Sequence, residues 1–316
     1  MKAMLVDKKG NLVWSDVLYP VMGEEDVIVE IHAAALNRAD LLQRQGKYPS
    51  PPGCPEWMGL EIAGIIRQVG KGAEKKSRWK PGDRVCALLG GGGYAEYANV
   101  RYDMLMPVPR GLTLPEASAL PEAFATSYLN LFWEGHLESG QTIYIPAGAS
   151  GLASVAIPMA KAFEARVITS VLSDEIAESI AHLGADIIVN SKKQNIADVF
   201  REQAEAGYPV NLAMDCLGGA DLGECLPYMA PGGFWVLIST LAGTETAVAL
   251  RPVLTKGLHL TGSMLRKRTP EIKVQILREL VEKVWPKIEA GEIRPTIYQT
   301  LPVTMAEEAH EILERN

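Results

Sequence analysis

One passage limits the possible folds more than any other: at 142–162 a short apolar run enters a turn of small residues and then a helix-like stretch. The run is Thr142-Ile143-Tyr144-Ile145, and the turn is Pro146-Ala147-Gly148-Ala149-Ser150-Gly151-Leu152-Ala153. Small side chains at Gly148, Ser150, Gly151 and Ala153 let the backbone turn tightly and approach a ligand. The first N–H groups of the helix have no partner within it. Such a turn suits an anion, above all a dinucleotide pyrophosphate. Glycines alone would also fit a helix packed tightly on a strand. The strand before and the helix after supply the context that the dinucleotide reading needs.

From that point onward strands and helices alternate. Strands are expected at 167–169, 186–189, 211–214, 234–238 and 258–262, with helices up to Leu183, at 196–206 and at 222–229. This order predicts an open parallel sheet covered by helices on both faces, a doubly wound Rossmann-type domain. The chain before it reads differently. Residues 26–31 alternate apolar with polar, 60–69 is extended, and Lys80-Pro81-Gly82-Asp83-Arg84-Val85 is a turn feeding a strand. Glycines at 90–93 lead into a further strand at 94–98, so this part is a β-barrel-like module. Between the two, 115–134 carries Leu120, Phe124, Tyr128 and Leu131 at helical spacing, and 270–290 reads as a long amphipathic helix.

A chain of 316 residues suits two domains, and its net charge of −7 argues against a broad nucleic-acid surface. The densest basic run, Lys71, Lys75, Lys76, Arg78 and Lys80, has only Trp79 as an aromatic neighbour and reads as a solvated loop. The first residues lack the apolar core of a signal peptide, and no apolar window is long enough for a bilayer, so no membrane partner is expected. Cys54, Cys86, Cys216 and Cys225 are scattered, giving neither a zinc knuckle nor a disulfide framework, and a cytoplasmic setting is expected.

The second strand of a Rossmann domain ends beside the adenosine ribose, where NAD sites usually place a carboxylate. Val171 stands there, while Ser170 and Ser173 offer hydroxyls, and Lys192 and Lys193 offer charge, to a 2′-phosphate. NADP(H) is therefore preferred over NAD(H). Asp215-Cys216-Leu217-Gly218-Gly219 and Ile238-Ser239-Thr240 follow later strands, so Asp215 either borders a ligand or caps a helix. Asn37-Arg38-Ala39-Asp40 and Gly46-Lys47-Tyr48-Pro49 are polar stretches in the first module. Asn37 and Tyr48 have donors suited to a carbonyl gaining negative charge, although Asp40 as a helix cap and Tyr48 as a packing residue is the simpler account. The five histidines form no ligand-spaced pair, and no Gly-x-Ser-x-Gly elbow follows a strand.

Together these residues resemble the medium-chain dehydrogenase/reductase superfamily, and within it the zinc-free quinone oxidoreductases related to zeta-crystallin. The stretches that carry the resemblance are Ala34-Ala35-Leu36-Asn37-Arg38-Ala39-Asp40, Gly59-Leu60-Glu61-Ile62-Ala63-Gly64, Lys80-Pro81-Gly82-Asp83-Arg84-Val85, 147–153, Leu183-Gly184-Ala185-Asp186 and Asp215-Cys216-Leu217-Gly218-Gly219. The resemblance implies an α/β chain in which a GroES-like β-barrel domain, 1–118 with a return at 262–316, wraps a Rossmann doubly wound parallel-sheet domain at 119–261. Zinc-dependent relatives have cysteine where Asn37 stands and histidine where Leu60 stands, so no zinc is expected.

By the same resemblance Tyr48 and Asn37 line the acceptor pocket, and Asp40 supports their loop. Thr126 and Asn130 flank the nicotinamide; Ala147, Gly148, Ala149, Ser150, Gly151 and Leu152 hold the pyrophosphate; Ser170, Ser173 and Ser191 face the adenosine. Cys216, Gly218, Ser239, Thr240 and Leu265 complete the cofactor contacts. A small quinone or conjugated carbonyl is the implied substrate, and a homodimer joined along 258–262 the implied assembly. The alternatives are an enone or enoyl-thioester reductase and a nucleotide-binding protein with weakened catalysis. The chain departs from the family pattern at Ala153, at Val171-Leu172, at Ile176 in place of a phosphate-binding lysine, at Ser191 in place of a tyrosine and at Pro158 within the first Rossmann helix. Relatives also continue beyond 311–316 with a Gly-Lys-containing strand, so a shortened or missing strand is expected here.

Overall fold

The computed structural model describes residues 1–315, which divide into two units. Unit 1 comprises Met1–Glu122, Thr269–Glu289 and the chain from Pro295 onward. A first antiparallel pair is β1 (Lys2–Val6) with β2 (Leu12–Asp16). A five-stranded sheet follows, built from β3 (Asp26–Ala34), β4 (Glu61–Val69), β5 (Arg84–Leu88), β6 (Tyr97–Arg101) and β7 (Leu105–Pro107). Its order is β6-β3-β4-β5-β7, with every pair antiparallel. The alternation expected at 26–31 does not become alternating exposure: Val27, Ile28 and Val29 are all fully buried. As an inner strand of the sheet, β3 is covered on both faces where it begins.

Unit 2 comprises Ala123–Arg268 and Ala290–Arg294. Its strands are β8 (Thr142–Ile145), β9 (Arg166–Val171), β10 (Ile187–Asn190), β11 (Val210–Asp215), β12 (Phe234–Leu237) and β13 (His259–Gly262). All pair in parallel, in the order β10-β9-β8-β11-β12-β13. The order reverses between β8 and β11, and in such a sheet the carboxyl ends of the strands at this switch point border the ligand crevice. Tyr144, Phe200 and Trp235 fill the core beside Ile168, Val210 and Leu226. The Rossmann-type sheet and the antiparallel strand module expected from the sequence are both present.

The helix-like stretch at 115–134 is not one helix. A Thr113–Glu116 capping box starts the short helix Leu114–Ser118. Pro121, which has no N–H to continue that helix, starts another at Pro121–Tyr128, and a π-turn closes the stretch at Leu129–Glu134. Pro158 lies inside the helix Ala153–Ala162, which continues past it to Ala162 despite the missing donor. Among the described residues no helix is long and apolar enough to cross a membrane, and all four cysteines are free.

Candidate functional site

In unit 2 the chain leaves β8 through Ala147, a non-glycine residue at φ 54°, and enters the helix Ala153–Ala162. The Gly148 N–H donates to the Ser170 carbonyl at 2.8 Å. A Cβ on Gly148 would lie 2.5 Å from Thr169 Oγ1 and 2.7 Å from Ile180 Cδ1, so strand–helix packing dictates this glycine. Ser150 ties the turn together, its N–H donating to the Ala147 carbonyl (2.8 Å) and its Oγ accepting the Ala153 N–H (3.1 Å).

Gly151 differs from Gly148. It is exposed, its φ lies outside the left-handed region, and a Cβ there would meet no protein atom within 4 Å. Nothing in the fold requires glycine at this position. The N–H groups of Ala149, Gly151 and Leu152 have no acceptor among the described residues. Unpaired donors at the start of a ten-residue helix, beside a glycine whose missing side chain leaves open space, are an arrangement with the chemistry to receive an anion.

The other residues expected around this turn are placed less uniformly. Ser170 is buried, and its hydroxyl hydrogen-bonds that of Tyr144 at 2.9 Å, so it is held within the sheet. Ser173 caps the helix Asp174–Ile180 by accepting from Ile176 N at 3.3 Å, and Ser191 Oγ donates to the Val171 carbonyl at 3.1 Å. Asp174, which the strand-end rule passes over, accepts from Asn190 Nδ2 at 2.7 Å and pairs with Lys193. Those two partners hold its carboxyl below the ordinary range. Lys193 is thereby engaged, while Lys192 is anchored by its backbone N–H to Asn190 Oδ1 at 3.1 Å.

Asp215 does not cap the helix that follows. It is 2% exposed, and Oδ1 accepts the N–H groups of Leu217 (2.7 Å) and Gly218 (3.0 Å) while Oδ2 accepts Trp235 Nε1 (2.9 Å). It fixes the turn leaving β11, whereas the next helix, Ala220–Cys225, is preceded by Gly219. Gly218, at φ 66°, lets that turn meet the Gly243 backbone through a parallel bridge. Burial pushes the half-buried Cys216 thiol up to about 11. Ser239 is half-buried and Thr240 exposed beyond β12, and Leu265 is buried. Asn130 is 1% exposed; its Nδ2 donates to the Thr126 carbonyl at 2.7 Å, and its Oδ1 has no partner among the described residues. An orphaned buried acceptor of this kind fits completion by a ligand's N–H.

Unit 1 brings Asn37 and Asp40 together at the start of the helix Arg38–Arg44. Asp40 is fully buried and accepts the Asn37 N–H (2.8 Å), the Gly59 N–H (3.0 Å) and the Tyr94 hydroxyl (3.1 Å). It therefore does cap a helix, while also binding two other segments. Tyr94 packs edge-on against His310, which is fully buried. Tyr48 is half-buried in the irregular segment after the helix. A residue that sequence reasoning noted only within a motif is Glu61, 2% exposed at the start of β4. Its Oε1 accepts Asn37 Nδ2 at 2.9 Å and its Oε2 accepts the Glu122 N–H at 2.8 Å. The available signal was an acidic residue in an otherwise apolar stretch.

Burial pushes Glu61 up to about 8 from its ordinary 4.5 and His310 down to about 4 from 6.5. The folded protein holds the Glu61 proton longer than the unfolded chain does, so this group lowers stability as pH rises from about 4.5 to about 8. His310 is protonated more readily when unfolded, so it lowers stability as pH falls from 6.5 to about 4. The two slopes cancel between about 4.5 and 6.5. Above 6.5 Glu61 acts alone at about 1.4 kcal/mol per pH unit. Urea unfolding is therefore expected to show a plateau at pH 4.5–6.5 and a loss of about 2 kcal/mol by pH 8. Constant or rising stability from 6.5 to 8 would contradict this placement of Glu61.

A helix start at the switch point of a parallel sheet, joined in one chain to an antiparallel strand module, is the plan of a dehydrogenase or reductase. Comparison with known proteins gives the same class. Residues 23–110 match the family described as alcohol dehydrogenase GroES-like domain, and 151–282 match that described as zinc-binding dehydrogenase. The chain belongs to the medium-chain dehydrogenase/reductase superfamily and is an oxidoreductase. More particularly, it is similar to the quinone oxidoreductase of Sus scrofa (27% identity, spanning 94% of this chain and 88% of that protein). It is likewise similar to a quinone oxidoreductase-like protein 2 homolog of Nematostella vectensis (29%, 92% and 79%). Among solved structures, the quinone oxidoreductase of Thermus thermophilus, also determined in complex with NADPH, superposes with a TM-score of 0.81 at 27% identity, over 99% of this chain and 96% of that one. Among the described residues no group of three or more His, Cys, Asp or Glu side chains is arranged to hold a metal.

Proposed function

We propose that this oxidoreductase is a zinc-independent reductase that uses a nicotinamide dinucleotide to reduce a quinone or a related conjugated carbonyl. The observation that carries this reading is the 147–153 turn, with three unpaired N–H donors and a glycine that the fold itself does not require. The nucleotide, once bound, supplies a hydride to the acceptor carbon. The chain's part is to hold the pyrophosphate at Gly148–Leu152 and to meet the carboxamide end with Thr126 and Asn130, whose buried Oδ1 lacks a donor among the described residues. Ser239, Thr240, Cys216, Gly218 and Leu265 fill the remaining contacts that the family resemblance implies. Asn37 and Tyr48 offer polar groups to the acceptor oxygen as it gains charge.

NADP(H) is favoured because the end of β9 carries Val171, not a carboxylate, and Lys192 stands beyond β10. Ser170 adds nothing to that preference, since its hydroxyl points to Tyr144. An amide at 37 and a leucine at 60 supply no zinc ligands, and the Asn37 amide is already bonded to Glu61. The family resemblance further supports a homodimer joined through β13, the edge strand of the parallel sheet, where Leu260 is 43% exposed, and the four free cysteines support a reducing, cytoplasmic setting.

Anaerobic mixing of the protein with NADPH or NADH, then with 1,4-benzoquinone, 2-cyclohexenone or an enoyl thioester, tests the reading. Nucleotide oxidation is expected, faster with NADPH and with the quinone. Absence of oxidation with every pair would remove the proposal.

A further inference from the structure

We infer that Glu61 is a positioning residue whose proton decides which end of the Asn37 amide is offered to the acceptor. This inference rests on the proposed role of Asn37 beside the acceptor. An amide presents an acceptor oxygen at one end and an N–H donor at the other, and whatever holds one end exposes the opposite one. Asn37 is half-buried, and the side-chain hydrogen bond it makes is from Nδ2 to Glu61 Oε1. The competing restraint would be a helix-cap bond from Asp40 N. Asn37 and Asp40 do stand at capping-box spacing, and the Asn37 N–H to Asp40 half is formed. The Asn37 side chain also faces the Asp40 N–H in that box, but no side-chain cap hydrogen bond is made there, and Asp40 N donates to the Asn37 backbone carbonyl at 2.9 Å. Glu61 is thus the group that sets the amide.

The second oxygen of Glu61 fixes where its proton can sit. Oε2 accepts the Glu122 N–H, a group that can only donate, so a proton on the carboxyl belongs on Oε1, facing Asn37. Ionised Glu61 takes the Nδ2 end, as in the structure, and leaves the Asn37 oxygen as the end not held by Glu61. Protonated Glu61 donates to Asn37 Oδ1 and turns the N–H end outward, the end that stabilises an oxygen gaining negative charge. Burial favours the protonated form of Glu61 and raises its pKa to about 8, outweighing the hydrogen bonds from the Glu122 N–H and Asn37, and nearby acidic groups add to the rise. Asp40 from the helix Arg38–Arg44 and Glu122 from the helix Pro121–Tyr128 are both acidic, and Cys86 on β5 and Tyr94 in the loop before β6 also feel its charge.

The test is the pH dependence of quinone reduction in wild type, Glu61→Gln and Glu61→Ala between pH 6 and 9.5. Wild-type kcat/KM is expected to fall about tenfold per pH unit above about 8. Glutamine donates to Asn37 Oδ1 at every pH while its own oxygen still accepts from Glu122, so E61Q loses that fall. Alanine holds neither end of the amide, so E61A loses about tenfold in kcat/KM at pH 6.5 and E61Q recovers it. An E61Q profile with the wild-type fall would overturn the inference. A second readout needs no turnover: the Asn37 side-chain amide resonances should shift with a midpoint near 8 in wild type and stay fixed in E61Q. If no acceptor is reduced, the proposed function fails, and these resonances alone decide the role of Glu61; a pH-independent signal in wild type would refute it.

Discussion

Asp40→Ala is expected to lower the unfolding free energy by about 2–4 kcal/mol, one of the largest effects available to a single side chain in unit 1. The carboxylate is fully buried and accepts from three places far apart in sequence: Asn37 N, Gly59 N and the Tyr94 hydroxyl. Alanine orphans the buried Gly59 N–H outright, whereas the Asn37 N–H is only part-buried and the Tyr94 hydroxyl keeps His310 Nε2 at 3.4 Å; each orphaned donor costs about 1–3 kcal/mol, not additively. Gly59 cannot relax to find another partner. It sits at φ 102°, and a Cβ there would come within 2.5 Å of Gly93, so its backbone is already pressed against the 90–93 segment. Asp40→Asn keeps one acceptor oxygen but turns an N–H towards a donor, so its loss should be intermediate. Urea unfolding followed by circular dichroism measures both. An Asp40→Ala protein within about 1 kcal/mol of wild type would mean that water or a rearranged loop satisfies the three donors.

Why some of this was readable in the sequence and some was not follows from how far apart the interacting residues lie. The first strand of the parallel sheet announced itself because both its faces are buried, which leaves a largely apolar run. In β8 all four residues, Thr142-Ile143-Tyr144-Ile145, are buried. The turn at 147–153 was equally legible, since its glycines and the helix behind it act on their own neighbours. At 115–134 the helical spacing masked two local signals that were present, the Thr113–Glu116 box and Pro121. Ser170 looked like a phosphate ligand because a strand's sequence alone does not say which face a hydroxyl takes. Its partner is Tyr144 on the neighbouring strand. The duties of Asp215 and Glu61 were hidden for the same reason. Trp235 is 20 residues from Asp215, and the partners of Glu61 are 24 and 61 residues away.

Gly148→Ala and Gly151→Val, three residues apart in one turn, are expected to fail in opposite ways. At Gly148 the new methyl group would collide with Thr169 Oγ1, which cannot swing aside freely because it donates to the Ile145 carbonyl at 2.6 Å, and with Ile180 Cδ1. The strand–helix packing must open, at about 1–3 kcal/mol, and the melting temperature should drop. At Gly151 the space around a Cβ is empty and the backbone is in a region that any residue adopts, so stability should change by less than about 0.5 kcal/mol. The valine would instead occupy the volume beside the unpaired N–H donors of Ala149, Gly151 and Leu152. A pyrophosphate resting on those donors would be displaced, and NADPH affinity, read by its fluorescence on titration, should fall about a hundredfold. Equal NADPH binding by Gly151→Val and wild type would show that the nucleotide does not lie on this turn. A melting temperature lowered as far by Gly151→Val as by Gly148→Ala would show that the fold, not a ligand, requires both glycines.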